Sequence, residues 1–267
     1  MTYLDELIAR ATDGAYGIDP ARHCITVAFT TTQSVRHDSR TGGYRNEALS
    51  LRLGAAVGSC SIEPGAIPAT TLDECVGATV AELLAHPSLV VRVATLDALL
   101  MHAHPHAPAN GAQPYPLPGG SSIAKSRARA KAVVELLPLE RVRRVLVVGV
   151  VNSLLEQLRD HGVDYLACDL KGGQTEWDEP VQTDAMSQLP YCDALLVSGM
   201  TLGNGTFDAL LDHARDNGKP LVTFAQTGSA VLPQFLGHGV SAVCAEPYPF
   251  FWLDGGPGTI YRYGGAR

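Results

Sequence analysis

The spacing of hydrophobic positions along this chain switches between two periods, and the switches mark out its elements. Leu4, Leu7, Ile8 and Ala11 share one face of a helix over residues 2–13, with Thr2 as its cap. Ile25, Val27 and Phe29 then alternate with Thr26, Ala28 and Thr30, the period of a half-buried strand. A polar loop over 36–47 follows, and Leu49, Leu51 and Leu53 alternate again, so the two strands predict an antiparallel pair. Past Pro64-Gly65 the helical period returns. Thr71-Leu-Asp-Glu74 reads as a capping box opening a helix with Leu72, Val76, Val80, Leu83 and Leu84 on its inner face, stopped by Pro87. A second helix over 88–101 is apolar nearly all round and is expected between layers. The first hundred residues thus read as α+β.

Residues 103–120 gather prolines and glycines without periodicity, which predicts a linker and a division into domains 1–110 and 111–267. Beyond it a helix over 121–137 carries Lys125, Arg127, Arg129 and Lys131. Strands at 144–151, 164–169, 193–198, 220–225 and 240–245 then alternate with helices, one of them capped by Thr206 and stopped by Gly218 and Pro220. Such alternation means a parallel sheet with right-handed crossovers. The predicted fold class is α/β: a doubly wound, Rossmann-like C-terminal domain preceded by a smaller α+β domain.

Composition narrows the function classes. With 46% hydrophobic and 18% charged residues the chain reads as globular, and its net charge of −7 argues against a nucleic-acid partner. The basic positions of helix 121–137 read as a solvated face, or as contacts with the acidic remainder. No apolar run reaches membrane-spanning length and the polar start lacks a signal-peptide core, so no membrane partner and a cytoplasmic location are expected. The six scattered cysteines, without a C-x-x-C pair, are expected to be reduced thiols. No G-x-S-x-G elbow, P-loop or H-E-x-x-H occurs, which leaves hydrolase, kinase and zincin chemistry without support.

The candidate chemistry gathers at predicted strand ends, where ligands collect on open parallel sheets. The strand 144–151 turns at Gly149 into Asn152 and Ser153. With one glycine of the three, this is not a dinucleotide fingerprint. Asp169 ends the second strand, where a ribose-binding acid would sit. It suits an adenosine-type ligand without diphosphate, such as S-adenosylmethionine, as well as it suits a plain solvated carboxylate. Ser198, Thr201, Asn204, Gly205 and Thr206 follow the third strand, Gln226 and Thr227 the fourth, and Glu246 the fifth. A metal reading rests on His102, His104 and His106, alternate imidazoles in what reads as an extended segment, although no Cys or acidic pair completes the set by spacing. The loop 36–47 offers His37, Asp38, Arg40, Tyr44, Arg45 and Glu47. They are solvated charges at a hairpin tip, or the source of acid/base groups should the loop fold over the crevice. The terminal aromatics, Tyr248 through Trp252 with Tyr261 and Tyr263, are expected to pack as core or at a dimer interface, with a lid over a flat ligand as the lesser alternative.

Two resemblances add to this. The segment from Val145 to about Ala245, through Val147-Val-Gly149, the run Ser198-Gly-Met-Thr201-Leu-Gly-Asn204-Gly205-Thr206, Leu232-Pro-x-x-Phe235 and Gly239-Val240, resembles a Rossmann-like family of unknown function labelled for heavy-metal chelation. The stretch Val90-Val-Arg-Val-Ala94-Thr-Leu-Asp97-Ala-Leu-Leu100 resembles the enolase-N-terminal-like domain that usually precedes it. The turn Gly149-Val-Val-Asn152 departs from the aromatic and prolines expected there, and the loop 36–47 also departs. Three functions stay open. One is binding of a small polar ligand or metal chelate in an interdomain cleft, with a divalent metal as possible cofactor. Another is an enzyme using a nucleoside cofactor such as S-adenosylmethionine to build a small amino-acid-like or chelating metabolite. The third is a ligand-free homodimeric scaffold.

Overall fold

The computed structural model describes residues 2–37 and 43–265. The chain opens with helix α1 (Tyr3–Thr12), held by a reciprocal capping box between Thr2 and Asp5. Strands β1 (Val27–Val35), β2 (Tyr44–Leu53) and β3 (Ala56–Ile62) form an antiparallel three-stranded sheet. β3 has no hydrophobic alternation to announce it, because Gly58, Ser59, Cys60 and Ser61 are chosen for closeness. A Cβ on Gly58 would stand 1.9 Å from the backbone nitrogen of Ala98, so the strand lies directly on the long helix α4 (Leu89–Ala103).

Between sheet and α4 the predicted single helix is two. α2 (Thr71–Cys75) ends before Gly77, whose φ of +84° turns the chain, and α3 (Val80–Leu84) restarts it. The capping box belongs to Thr79 and Glu82, not to Thr71 and Glu74. The proline-rich stretch contains β4 (Gln113–Leu117), at the edge of a seven-stranded sheet. Prolines at an edge strand cost no ladder bond when their missing N–H faces away from the partner.

The seven-stranded sheet holds β5 (Arg144–Val148), β6 (Asp164–Cys168), β7 (Ala194–Ser198), β8 (Leu221–Ala225), β9 (Ala242–Ala245) and β10 (Gly258–Gly264), in the order β4-β10-β9-β8-β7-β5-β6. β6 through β9 with β5 are parallel; β10, absent from the sequence-based reading, runs antiparallel to both β9 and β4. In chain order the five parallel strands lie 2-1-3-4-5, so the winding reverses between β5 and β7. This is the α/β architecture expected, a Rossmann-like sheet behind a smaller α+β unit.

Strand alternation divides the interior in two. Val145 and Val147 face a core with α5 (Ser122–Val134) and α6 (Asn152–Asp160). Leu146 and Val148 face α8 (Phe207–Asp216), which follows the short α7 (Met200–Gly203), and that second core runs without a break into Leu49, Leu51, Leu96 and Leu99 of the front unit. The basic face predicted on α5 is not solvated as a whole. Lys125 and Arg129 are only 1% and 4% exposed, while Arg127 pairs with Glu156 and Lys131 with Glu135. All six cysteines are free, five of them buried. No helix among the described residues is long and apolar enough to cross a membrane.

Candidate functional site

Gly149 fixes the geometry of the strand tips. Its φ is +90°, and a Cβ there would stand 2.6 Å from the Ser198 Cβ, so only glycine lets β5 turn beside β7. The turn opens a cavity of about 360 Å³ at the point where the winding reverses, the usual ligand position in open α/β sheets. Gly149, Asp169, Ser198, Thr201, Asn204, Gly205 and Thr206 all line it, so seven predicted positions share one wall.

Their hydrogen bonds show what each still offers. The Asp169 carboxylate accepts from the Val150 amide at 3.2 Å and the Lys171 amide at 3.0 Å, which ties the ends of β5 and β6 together and orients the acid. Thr201 Oγ1 donates to the Ser198 carbonyl at 2.7 Å. Thr206 does not cap α8. Its backbone is already helical, and its hydroxyl donates to Asn204 Oδ1 at 2.7 Å. With its oxygen so engaged, Asn204 presents N–H donors to a ligand.

The charges around the cavity are of one sign. Glu63, arriving from the end of β3, joins Asp169 and Asp184, and the lining holds no lysine, arginine or histidine. Asp184 accepts from the amides of Met186 at 2.9 Å and Ser187 at 3.4 Å. Val148, Leu170, Met186, Met200 and Leu210 supply apolar wall, with Leu170 and Met186 about half exposed at 55% and 48%. Glu63, Asp184 and Met186 were not among the expected site residues. Glu63 follows the unannounced strand β3, and Asp184 lies in an irregular crossover, so neither carries a periodic signal.

Other predicted positions lie elsewhere. Asn152, Ser153, Gln226 and Thr227 do not line this cavity. Ser153 is bound to Ser126 of α5 at 2.9 Å, and Thr227 is buried. The described flanks of the hairpin loop do reach the back unit: His37 is buried with Nδ1 2.8 Å from Ser122 Oγ, Lys171 Nζ donates to the Arg45 carbonyl at 3.1 Å, and Tyr44 packs on Trp252. Arg45 pairs with Glu47 at 2.8 Å on its own strand. Asp38 and Arg40 lie outside the described residues. Phe250 and Phe251 of the aromatic tail are buried, and the Trp252 indole donates to Gln33.

The three histidines diverge. α4 runs to Ala103, so His102 is helical, not extended, and packs beside His23. His104 packs on Tyr16. His106 is buried between Tyr263, 2.6 Å from Nδ1, and Ser229, 3.3 Å from Nε2, and burial pushes its pKa down to about 4. Among the described residues no group of three or more His, Cys, Asp or Glu side chains is placed to hold a metal ion.

One carboxylate locks the front unit to the back. Asp97 of α4 accepts from the Ser59 amide at 2.8 Å and from the Ala230 amide, across the interface, at 2.7 Å. Burial outweighs these donors and pushes its pKa up to about 7. The same lock holds β3, and therefore Glu63, against the cavity.

Residues 132–244 match the family DUF364, described as "Putative heavy-metal chelation". The fold is similar to that of a protein of unknown function from the DUF364 family of Desulfitobacterium hafniense DCB-2. The two share 15% sequence identity and a TM-score of 0.56, with 90% of this chain and 86% of that one covered. A DUF364 protein of unknown function from Pyrococcus horikoshii is similar at 17% identity and a TM-score of 0.55, covering 89% and 86%. No curated protein matches the chain.

Proposed function

We propose that this chain, with its DUF364 segment on a doubly wound sheet, binds a small positively charged ligand in the cavity at the β5/β7 reversal. The observation that carries the reading is the lining itself. Three carboxylates, Glu63, Asp169 and Asp184, surround a cavity with no basic side chain, over walls of apolar and uncharged polar side chains. A cation gains from all three charges, whereas an anion would be repelled by each. The family description supports a cation, and the absence of a three-residue metal set among the described residues favours one that arrives within a small molecule, as an amine, a sulfonium or a chelated metal, over a bare ion.

A second reading is an enzyme using S-adenosylmethionine. It is favoured by Asp169, which ends β6 beside the reversal, where an acid accepts from ribose hydroxyls. The sulfonium would meet the carboxylates, and Leu170 and Met186 offer apolar surface for a base. Homodimerisation through the exposed Leu170 and Met186 at the mouth is part of the same proposal.

Native mass spectrometry of the purified protein tests the reading, followed by titration with S-adenosylmethionine and its neutral thioether analogue, S-adenosylhomocysteine. A carried cationic ligand, or tenfold or greater preference for the sulfonium that is lost in Asp169→Ala, is the expected result. Equal affinity for the neutral analogue would remove the electrostatic basis of the proposal.

A further inference from the structure

A second cavity, of about 360 Å³, lies at the other end of α8, where the first helix of the front unit meets the back unit. Tyr3, Glu6, Leu7 and Arg10 form one wall, recurring at the three- and four-residue spacing that puts them on one face of α1. The other wall is Arg215 in the last turn of α8, with Gln234, Phe235 and the turn Gly237-His238-Gly239 ahead of β9. That turn is pressed onto α8. Its two glycines have φ of +77° and +112°, and a Cβ on Gly239 would stand 2.6 Å from the Leu211 side chain. Both walls are thus set by backbone packing, around a volume in the range of small-molecule sites.

Most charged groups around this cavity are already matched. Arg215 pairs with Asp212 at 2.8 Å and with Asp216 at 3.0 Å, and the Tyr3 hydroxyl donates to Asp212 at 2.6 Å. Asp208 accepts from the Tyr3 amide at 3.0 Å, while Asp5 accepts from the Thr2 amide and pairs with Arg92 at 3.1 Å. Two opposite charges on the wall are left over. Glu6 and Arg10 stand at i,i+4, in the order that favours a pair on a helix surface. Neither makes an ion pair among the described residues, and the Arg10 guanidinium lies instead over the Tyr16 ring at 5.3 Å. On the facing wall the side chains of Gln234 and His238 likewise make no hydrogen bond among the described residues.

We propose that this cavity is a second binding site, for a small zwitterion with an apolar side chain, the class of the free α-amino acids. A lone anion there would face Glu6 and a lone cation Arg10, whereas a molecule carrying both charges answers both. The forked guanidinium suits a carboxylate, and the Glu6 carboxylate accepts from an ammonium. Leu7, Phe235 and the Tyr3 ring, which meets Phe235 edge-on with centroids 6.4 Å apart, offer apolar surface to the side chain. Gln234 and His238 add hydrogen-bonding groups from across the cavity. The acidic cavity at the strand tips selects net positive charge, so this site takes a different class of ligand and does not depend on the reading of that cavity.

The thermal midpoint of the full chain is to be titrated with L-leucine and L-phenylalanine, and with the N-acetyl and amide forms of each, which keep the side chain and lose one charge. A saturable rise with at least one amino acid is expected, its N-acetyl and amide forms binding tenfold or more weakly. Glu6 and Arg10 are both exposed, so Glu6→Gln and Arg10→Gln leave the core untouched. Each is expected to weaken binding of that amino acid tenfold or more, and Asp169→Ala to leave it unchanged. The absence of a saturable shift with either amino acid overturns the site. So does equal binding of the charge-stripped forms, full affinity in either wall variant, or loss of binding in Asp169→Ala.

Discussion

Gly149 and Asp97 show how single residues set the tip geometry. Replacing Gly149 by alanine must place a Cβ 2.6 Å from Ser198 at a φ of +90°, a combination no L-residue adopts without strain. Gly149→Ala is predicted to lose about 1–3 kcal/mol of stability or more in urea unfolding, the order of a strained backbone position. Two buried titrating groups give opposite pH signatures. Asp97 has its pKa raised from 3.8 to about 7, so it contributes stability at low pH that is lost as pH rises through about 7. His106 has its pKa lowered from 6.5 to about 4, so its contribution is present above about 6.5 and is lost as pH falls towards 4. The slopes oppose each other. His106→Gln is predicted to expose a decline in stability between pH 5 and 7, and Asp97→Asn a rise, measured as unfolding midpoints across that range. Similar slopes in both variants would contradict the assignment. Neither residue is legible as a buried titrating group from the chain alone: Asp97 sits in an apolar helix stripe, and His106 in a proline-rich stretch that reads as linker.

At the scale of elements, α5 carries more than its sequence suggests. Lys125, 1% exposed, donates to the carbonyls of Asp254 at 3.0 Å and Gly256 at 2.6 Å, and so pins the turn between the aromatic tail and β10. Charged hydrogen bonds of this kind contribute about 1.5–3 kcal/mol each, and Lys125→Met keeps the volume while deleting them. That variant is predicted to unfold at lower urea and to speed amide exchange over residues 250–258. Unchanged exchange there would show that the tail is held by its aromatics alone. The strands β5 to β9 were legible because each is an apolar run ending in a polar turn. β3, β4 and β10 were not, since close packing on α4, edge prolines and a late antiparallel return leave no alternation. Likewise the wall from Asp169 to Thr206 could be read from strand ends, whereas Glu63 and Asp184 come from segments without a period.

For the whole molecule, the continuous core from Leu49 and Leu96 to Leu210 and Val243 makes front and back one cooperative body. Asp97 adds one amide bond across that junction, from Ala230, and a second to Ser59 on its own side. Calorimetric and van't Hoff enthalpies of unfolding are therefore predicted to agree, and two separated transitions would contradict the shared core. The proposed binding depends on the same junction, because Glu63 reaches the cavity only while β3 stays seated. The charge of the proposed ligand is what the three carboxylates of that cavity select. The most direct measurement is the thermal midpoint of wild type and Asp169→Ala against amines, S-adenosylmethionine, divalent metal ions, and carboxylates and phosphates of similar size. The predicted result is stabilisation by at least one cation and by no anion, with the cation effect lost in the variant. Stabilisation by anions, or by cations irrespective of Asp169, would contradict it.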